Sequence, residues 1–182
     1  MAKLTHIGPK GRARMVDIGP KPITRRVAEA SCSIRLEAET LKLIRGNQVA
    51  KGDVLNVARV AGIQAAKRTF ELIPLAHPIP LDIVEVETAI ERNGIKIVCR
   101  VTAEAKTGAE MEAMTGAAIA ALTVYDMVKA VDRRAEISRL RLDFKSGGKS
   151  GVFRRRQGRR QGPRYSSGDP VPPHSAAYWR RG

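Results

Sequence analysis

Gly108-Ala-Glu110-Met111-Glu112-Ala-Met-Thr, running on through Leu122-Thr-Val-Tyr125-Asp126-Met-Val-Lys129-Ala-Val131, is the stretch on which the fold turns. The spacing predicts one helix over 111–131, entered through an acidic turn. Alanines, Ile119, Leu122, Met127, Val128 and Val131 give it a broad apolar surface, interrupted by Glu112, Asp126 and Lys129. Asp126 and Lys129 are three apart and so neighbours on one helix face. Glu112 precedes Asp126 by fourteen residues and points in nearly the same direction, roughly 20 Å away at 1.5 Å per residue. One small substrate cannot easily touch both ends. If both ends are catalytic, the simplest arrangement is a site shared between two subunits, each giving one end.

Working outward, alternation from Val27 to Leu36 predicts a half-buried strand, and Glu37 to Arg45 a short helix closed by Gly46. Asp53 is placed to cap a helix from Val54 to about Leu72. Small residues on one of its flanks permit close backbone approach. Lys67 and Arg68 in its last turn complement the helix dipole. Pro74, Pro78 and Pro80 stiffen the loop that carries His77. Two strands, Ile83–Ile90 and Ile95–Ala103, meet at Asn93-Gly94, a hairpin signal. Arg139 to Lys145 is a last strand, with Leu140, Leu142 and Phe144 on one side. The order strand, helices, strand, strand, helix, strand predicts an α+β, ferredoxin-like (split β-α-β) domain. It would have a four-stranded antiparallel sheet with helices on one face, the other face needing cover. Three segments follow: a basic arm over 1–26, the ferredoxin-like catalytic domain over 27–151, and a disordered Arg-rich tail over 152–182.

The net charge of +15 divides between these parts. The tail holds eight arginines against one aspartate, and residues 1–151 hold 25 basic against 17 acidic side chains. A basic body attracts anions, phosphorylated metabolites as well as nucleic acid. A nucleic-acid-binding module is the alternative that this charge suggests. It would lack the aromatic platforms of single-strand binders, since aromatic residues are 4% and Trp179 lies in the tail. Weak contact through the tail is the most expected of it. No apolar run is long enough to span a membrane. Cys32 and Cys99 sit in alternating apolar patterns and read as reduced core residues, which points to the cytoplasm.

The charged residues singled out are Lys51, His77, Glu110, Glu112, Asp126, Lys129, Lys145 and Lys149. No Cys/His cluster has metal-ligand spacing, and no dinucleotide fingerprint follows a strand. Lys145-Ser-Gly-Gly-Lys149-Ser-Gly151 is a glycine-rich basic loop that lets main-chain N–H groups approach phosphate, although its spacing is not that of a Walker A loop. The set suits acid–base chemistry on a phosphorylated, nucleotide-like substrate, without a redox cofactor or metal. Lysines neutralise phosphate, and a carboxylate–lysine pair moves protons.

Lys51-Gly-Asp-Val, Leu72-Ile-Pro-Leu-Ala-His-Pro78, Thr107-Gly-Ala-Glu-Met-Glu-Ala-Met-Thr115, Ala121-Leu-Thr-Val-Tyr-Asp-Met-Val-Lys-Ala-Val131 and Lys145–Gly151 resemble, in order and spacing, the molybdenum cofactor biosynthesis protein C family. The likeness spans about residues 3–151. It implies a cyclic pyranopterin monophosphate synthase, a lyase that converts 3′,8-cyclo-7,8-dihydroGTP to cyclic pyranopterin monophosphate with release of pyrophosphate. It also implies a homohexamer, a trimer of dimers with sites at the dimer interface, and a functional link to a radical-SAM GTP cyclase. Carried over by motif, Asp126 is the catalytic carboxylate, Lys129 its partner, and Lys51 belongs to the same site. Leu75, Ala76, His77, Met111 and Glu112, with Glu110, line the substrate pocket. Lys21, Arg26, Lys67, Lys145 and Lys149 are triphosphate contacts. The family often has cysteine where this chain has Ala76 and Val128.

Overall fold

The structure is a computed structural model and describes residues 12–156. Residues 1–11 and 157–182, which include part of the expected arm and most of the expected disordered tail, lie outside the described residues. Among the described residues nine elements follow in order: β1 (Thr24–Arg35), α1 (Ala38–Arg45), α2 (Val54–Lys67), α3 (Thr69–Leu72), β2 (Ile83–Glu91), β3 (Gly94–Ala105), α4 (Glu110–Val128), β4 (Glu136–Ser146) and β5 (Phe153–Arg154).

The chain is α+β, with one open antiparallel sheet in the order β2-β3-β1-β4-β5. The expected sheet of four strands is corrected to five. The chain continues past Gly151, and Phe153 and Arg154 pair with Lys145 and Phe144. The Arg154 guanidinium lies over the Phe144 ring, 4.7 Å from its centroid, which helps hold this short edge strand.

β1 runs through the middle of the sheet. Ala28, Ala30, Cys32 and Ile34 point to one face and are essentially inaccessible, as are Ile95, Ile97, Cys99 and Val101 across the ladder on β3. α4 packs on β1 and β3, and α2 packs on α4 and β2. The other face carries a row, Glu85–Arg100–Glu29–Phe144–Arg154, one residue from each of the five strands and all but Phe144 charged. There Arg100 donates from both Nε and a terminal nitrogen to Glu29.

The expected alternation of Leu140, Leu142 and Phe144 does not hold. Leu142 lies opposite Ala30 and Phe144 opposite Glu29, so the two face opposite sides of the sheet. Register shifts between Glu29 and Ala30 and between Ser31 and Ser33 insert extra residues in β4. Arg139, with φ of 56°, marks one of them. The single helix expected from Val54 to Leu72 is broken at Arg68, whose N–H turns back to the carbonyls of Ala65 and Ala66.

Two glycines set the helix layer. A Cβ on Gly116 of α4 would stand 2.6 Å from the Cys99 sulfur and 3.1 Å from the Gly62 carbonyl oxygen of α2. A Cβ on Gly62 would stand 2.9 Å from the Gly116 carbonyl oxygen. Backbone therefore crosses backbone at this point, pressed onto the sheet. Burial also pushes the Cys99 thiol up to about 12, so it is an inert packing group. Gly116→Ala is expected to destabilise the fold by about 1–3 kcal/mol through overpacking, read as a lowered melting temperature. A variant as stable as the parent would show that the helices part at no cost.

Candidate active site

The polar chemistry gathers at the two ends of α4. At its C-terminal end, Asp126 is held between two lysines. Lys51 Nζ donates to Asp126 Oδ2 at 2.7 Å and to the Asp126 carbonyl oxygen at 3.0 Å. Lys129 Nζ donates to Oδ1 at 2.6 Å. The three side chains are about half exposed, at 48–54%. Lys129 is one turn beyond Asp126 and caps the helix, its N–H reaching the Tyr125 carbonyl. Lys51 comes from the connection between α1 and α2. A turn closes from Gly52 N–H to the Val49 carbonyl, and Gly52, at φ of 95°, adopts a conformation that favours glycine. Asp53 then caps α2 by accepting from Asn56 N–H. Lys51-Gly52-Asp53 is thus a compact device for aiming one ammonium at Asp126.

Hydrogen bonds and charge from Lys129 and then Lys51 hold the Asp126 carboxyl down at about 2. Asp126 in turn raises Lys129. Asp126 is therefore a carboxylate throughout the neutral range, beside the Lys129 ammonium. Such a group donates protons and stabilises developing negative charge as it stands. Covering it and removing water would lower the Lys129 ammonium toward the range of a base.

At the N-terminal end of α4 two adjoining cavities, of about 340 and 280 Å³, share Lys21, Thr107, Gly108 and Glu110. The first is walled by Leu75, Ala76, His77, Met111 and Glu112, with Val16 and Ile18 of the arm. The second is a cationic cradle containing Arg26, Lys106, Lys145 and Lys149. Its one carboxylate among the described residues, Glu110, accepts from Lys145 Nζ at 2.9 Å, and Lys145 also reaches Ser150 Oγ at 2.9 Å. The main chain at Gly148 lies against the Arg26 guanidinium, whose Nε donates to the Ala105 carbonyl. The glycine-rich loop therefore closes one wall of the cradle. Its excess of cations suits a polyphosphate.

Glu112 differs from the rest. It is 4% exposed, lines the first cavity, and its Oε2 has no hydrogen-bond partner among the described residues. Burial, and then the charge of Glu110, push its carboxyl up to about 7. It can exchange a proton near neutrality. A raised carboxyl binds its proton more tightly in the folded chain, so the folded state loses stability as pH rises from about 4.5 through 7. Glu112→Gln removes that loss. Its melting temperature is expected to exceed the parent's at pH 8 and to match it below pH 4.5. A difference independent of pH would mean that Glu112 does not titrate in this range.

Within one protomer, then, Lys51, Asp126 and Lys129 form one cluster. Lys21, Arg26, Leu75, Ala76, His77, Glu110, Met111, Glu112, Lys145 and Lys149 form another around the start of α4. The two lie at opposite ends of the helix. Lys67 joins neither. It lines a separate depression with Val60, Ile63 and Gln64 of α2 and with Arg68 just after it. Sequence patterns passed over Lys106, which lines the cradle and donates to the Gly19 carbonyl at 2.8 Å, so tying the arm to the cavity. Its position directly before Thr107-Gly108 was the available signal. Val128 is fully buried in the core, whereas Ala76 lines the first cavity, so the two positions where cysteine is often found have different surroundings. Among the described residues no group of three or more His, Cys, Asp or Glu is placed to hold a metal ion, and no helix is long and apolar enough to cross a membrane.

Residues 15–148, which carry most of both clusters, match the MoaC family. A cyclic pyranopterin monophosphate synthase of Thermomicrobium roseum is 56% identical over 157 residues, covering 85% of this chain and 95% of the relative. Cyclic pyranopterin monophosphate synthase 1 of Mycobacterium tuberculosis is 54% identical over 84% of this chain and 90% of its own. The synthase of Pelotomaculum thermopropionicum is 52% identical over 86% and 93%. These relatives carry an enzyme's name, and the alternative of a nucleic-acid-binding module finds no support in them. With most of its length matched in this way, the chain belongs to the MoaC family.

Proposed function

We propose that this chain is a cyclic pyranopterin monophosphate synthase, a lyase of molybdenum cofactor biosynthesis. It takes 3′,8-cyclo-7,8-dihydroGTP, made from GTP by a radical-SAM cyclase, and rearranges it to cyclic pyranopterin monophosphate and pyrophosphate. The observation that carries this is Asp126 fixed between the Lys51 and Lys129 ammonium groups, on the same helix as a cation-lined cradle. The names of the relatives supply the product, cyclic pyranopterin monophosphate. In this proposal Lys21, Arg26, Lys145 and Lys149 hold the triphosphate and stabilise the departing pyrophosphate. Leu75, Ala76, His77, Met111 and Glu112 face the guanine-derived portion. Asp126, Lys129 and Lys51 move the protons. Lys67 could serve only through a neighbouring protomer.

The two clusters are brought together by pairing protomers. Glu112 and Asp126 are equidistant from Ile119 along α4. The outward stripe of α4 includes Met111 and Leu122, which are 39% and 52% exposed. A two-fold axis crossing α4 near Ile119 would set the start of one helix beside the end of its partner, completing two equivalent sites. Three such dimers make the proposed hexamer. The strand order β2-β3-β1-β4, with helices between β1 and β2 and between β3 and β4, supports a ferredoxin-like description of the protomer. A cytoplasmic location is proposed from the unpaired, buried Cys32 and Cys99.

Purified protein incubated with the cyclic dihydro-GTP intermediate tests the activity. Pterin and pyrophosphate are expected in equal amounts. Failure to consume the intermediate would reject the proposal.

A further inference from the structure

We infer that Asp132, outside the charged cluster, is a positioning residue for it. Its buried carboxylate staples the turn after α4 to the start of α1, and so fixes the two lysines that flank Asp126. This rests on the role proposed above for that cluster.

Asp132 is 3% exposed, and both its oxygens are used. Oδ2 accepts from Glu37 N–H at 2.8 Å, ninety-five residues away in the chain, and Oδ1 accepts from Arg134 N–H at 3.1 Å. Its own N–H, with that of Val131, returns to the Val128 carbonyl at 2.9 Å. The turn carrying Lys129 is therefore locked from within. Glu37 is the residue that enters α1, and its side chain makes no cap. Asp132 takes over that duty from across the fold, placing its carboxylate at the positive end of the helix dipole. Six residues after α1 ends, the chain presents Lys51. One joint thus sets the origin of both arms: Lys129 lies three residues before it, and Lys51 follows the helix that it anchors. Neither lysine is buried enough to be positioned by its own packing.

Two variants of the full chain test this. Asp132→Asn keeps the shape but replaces one acceptor oxygen with a donor. Glu37→Pro deletes the opposing N–H while leaving Asp132 intact. Glu37 sits at φ of −65° and ψ of 152°, a conformation that proline adopts. Each is expected to lower kcat about 10- to 100-fold while KM changes less than about threefold, as misplacement of a reacting group does. The Asp126 carboxyl, followed by carbon NMR, should rise from about 2 toward the ordinary aspartate range as Lys129 and Lys51 drift away. The neighbouring titratable group is Tyr125, which the structure sets beside Lys129. A fall in melting temperature with kcat and the Asp126 titration both unchanged would overturn the inference, leaving Asp132 a structural cap. The titration needs no turnover. A moved Asp126 titration in a protein that never consumes the cyclic intermediate would therefore sink the proposed function and uphold the positioning role.

Discussion

Lys129→Ala is expected to lower turnover of the cyclic intermediate by about 10²–10⁴-fold, the range set by loss of a positioned acid or base. Asp126→Asn should fall in the same range, for a different reason. In the parent, Asp126 binds both ammonium groups and raises Lys129. The asparagine variant keeps both lysines but frees them from their common anion, so the Lys129 pKa drops. The alkaline limb of any residual activity should then move to lower pH. The alanine variant has no such limb to move. Asp126 is charged at every pH above about 2, so it contributes no titration of its own to the parent's profile between pH 5 and 9. Both side chains are half exposed, so neither change should alter the fold, and unchanged melting curves would show this. Normal turnover in both would move the chemistry elsewhere on the surface.

Mixing two inactive variants should restore activity. If each site takes Glu112 from one protomer and Lys129 from its partner, Lys129→Ala and Glu112→Gln damage different halves of it. Once subunits exchange, a mixed dimer holds one intact site and one doubly damaged site. Equal amounts exchanged at random should therefore recover about a quarter of the parent activity. Sites contained within one chain would give no recovery at all. The measurement is turnover after partial dissociation and reassembly, with each variant treated alone as the control. The contrast between no activity and a quarter of it is large enough to decide the matter without a structure of the assembly.

The elements that are governed by near neighbours in the chain were legible in advance. α4 was expected from the spacing of its alanines and aliphatic residues, β1 from strict alternation, the β2–β3 hairpin from Asn93-Gly94, and the α2 cap from Asp53. Asp126 and Lys129 were paired on the page because a helix makes residues three apart neighbours, and their 2.6 Å contact follows from that rule. What escaped was decided by distant contacts. The face on which Phe144 lies depends on bulges that β4 adopts only against β1. β5 depends on an arginine finding a ring across a turn. Lys51 is drawn to Asp126 across seventy-five residues, a pairing that the family resemblance put forward and no local spacing could.

The sequence by itself determined the helix and strand periods, the charge types, and the separation of Glu112 from Asp126 that argues for a shared site. These follow from geometry repeated every few residues, which the chain carries wherever it goes. The tertiary structure decided which charges are buried. Glu112 and Asp132 look alike in sequence, yet one ends with an unpaired oxygen in a cavity and the other with both oxygens bound to backbone N–H groups. The energy of a carboxylate depends on the water removed from it and on the donors that replace that water. Both are supplied by parts of the chain that meet only when it folds.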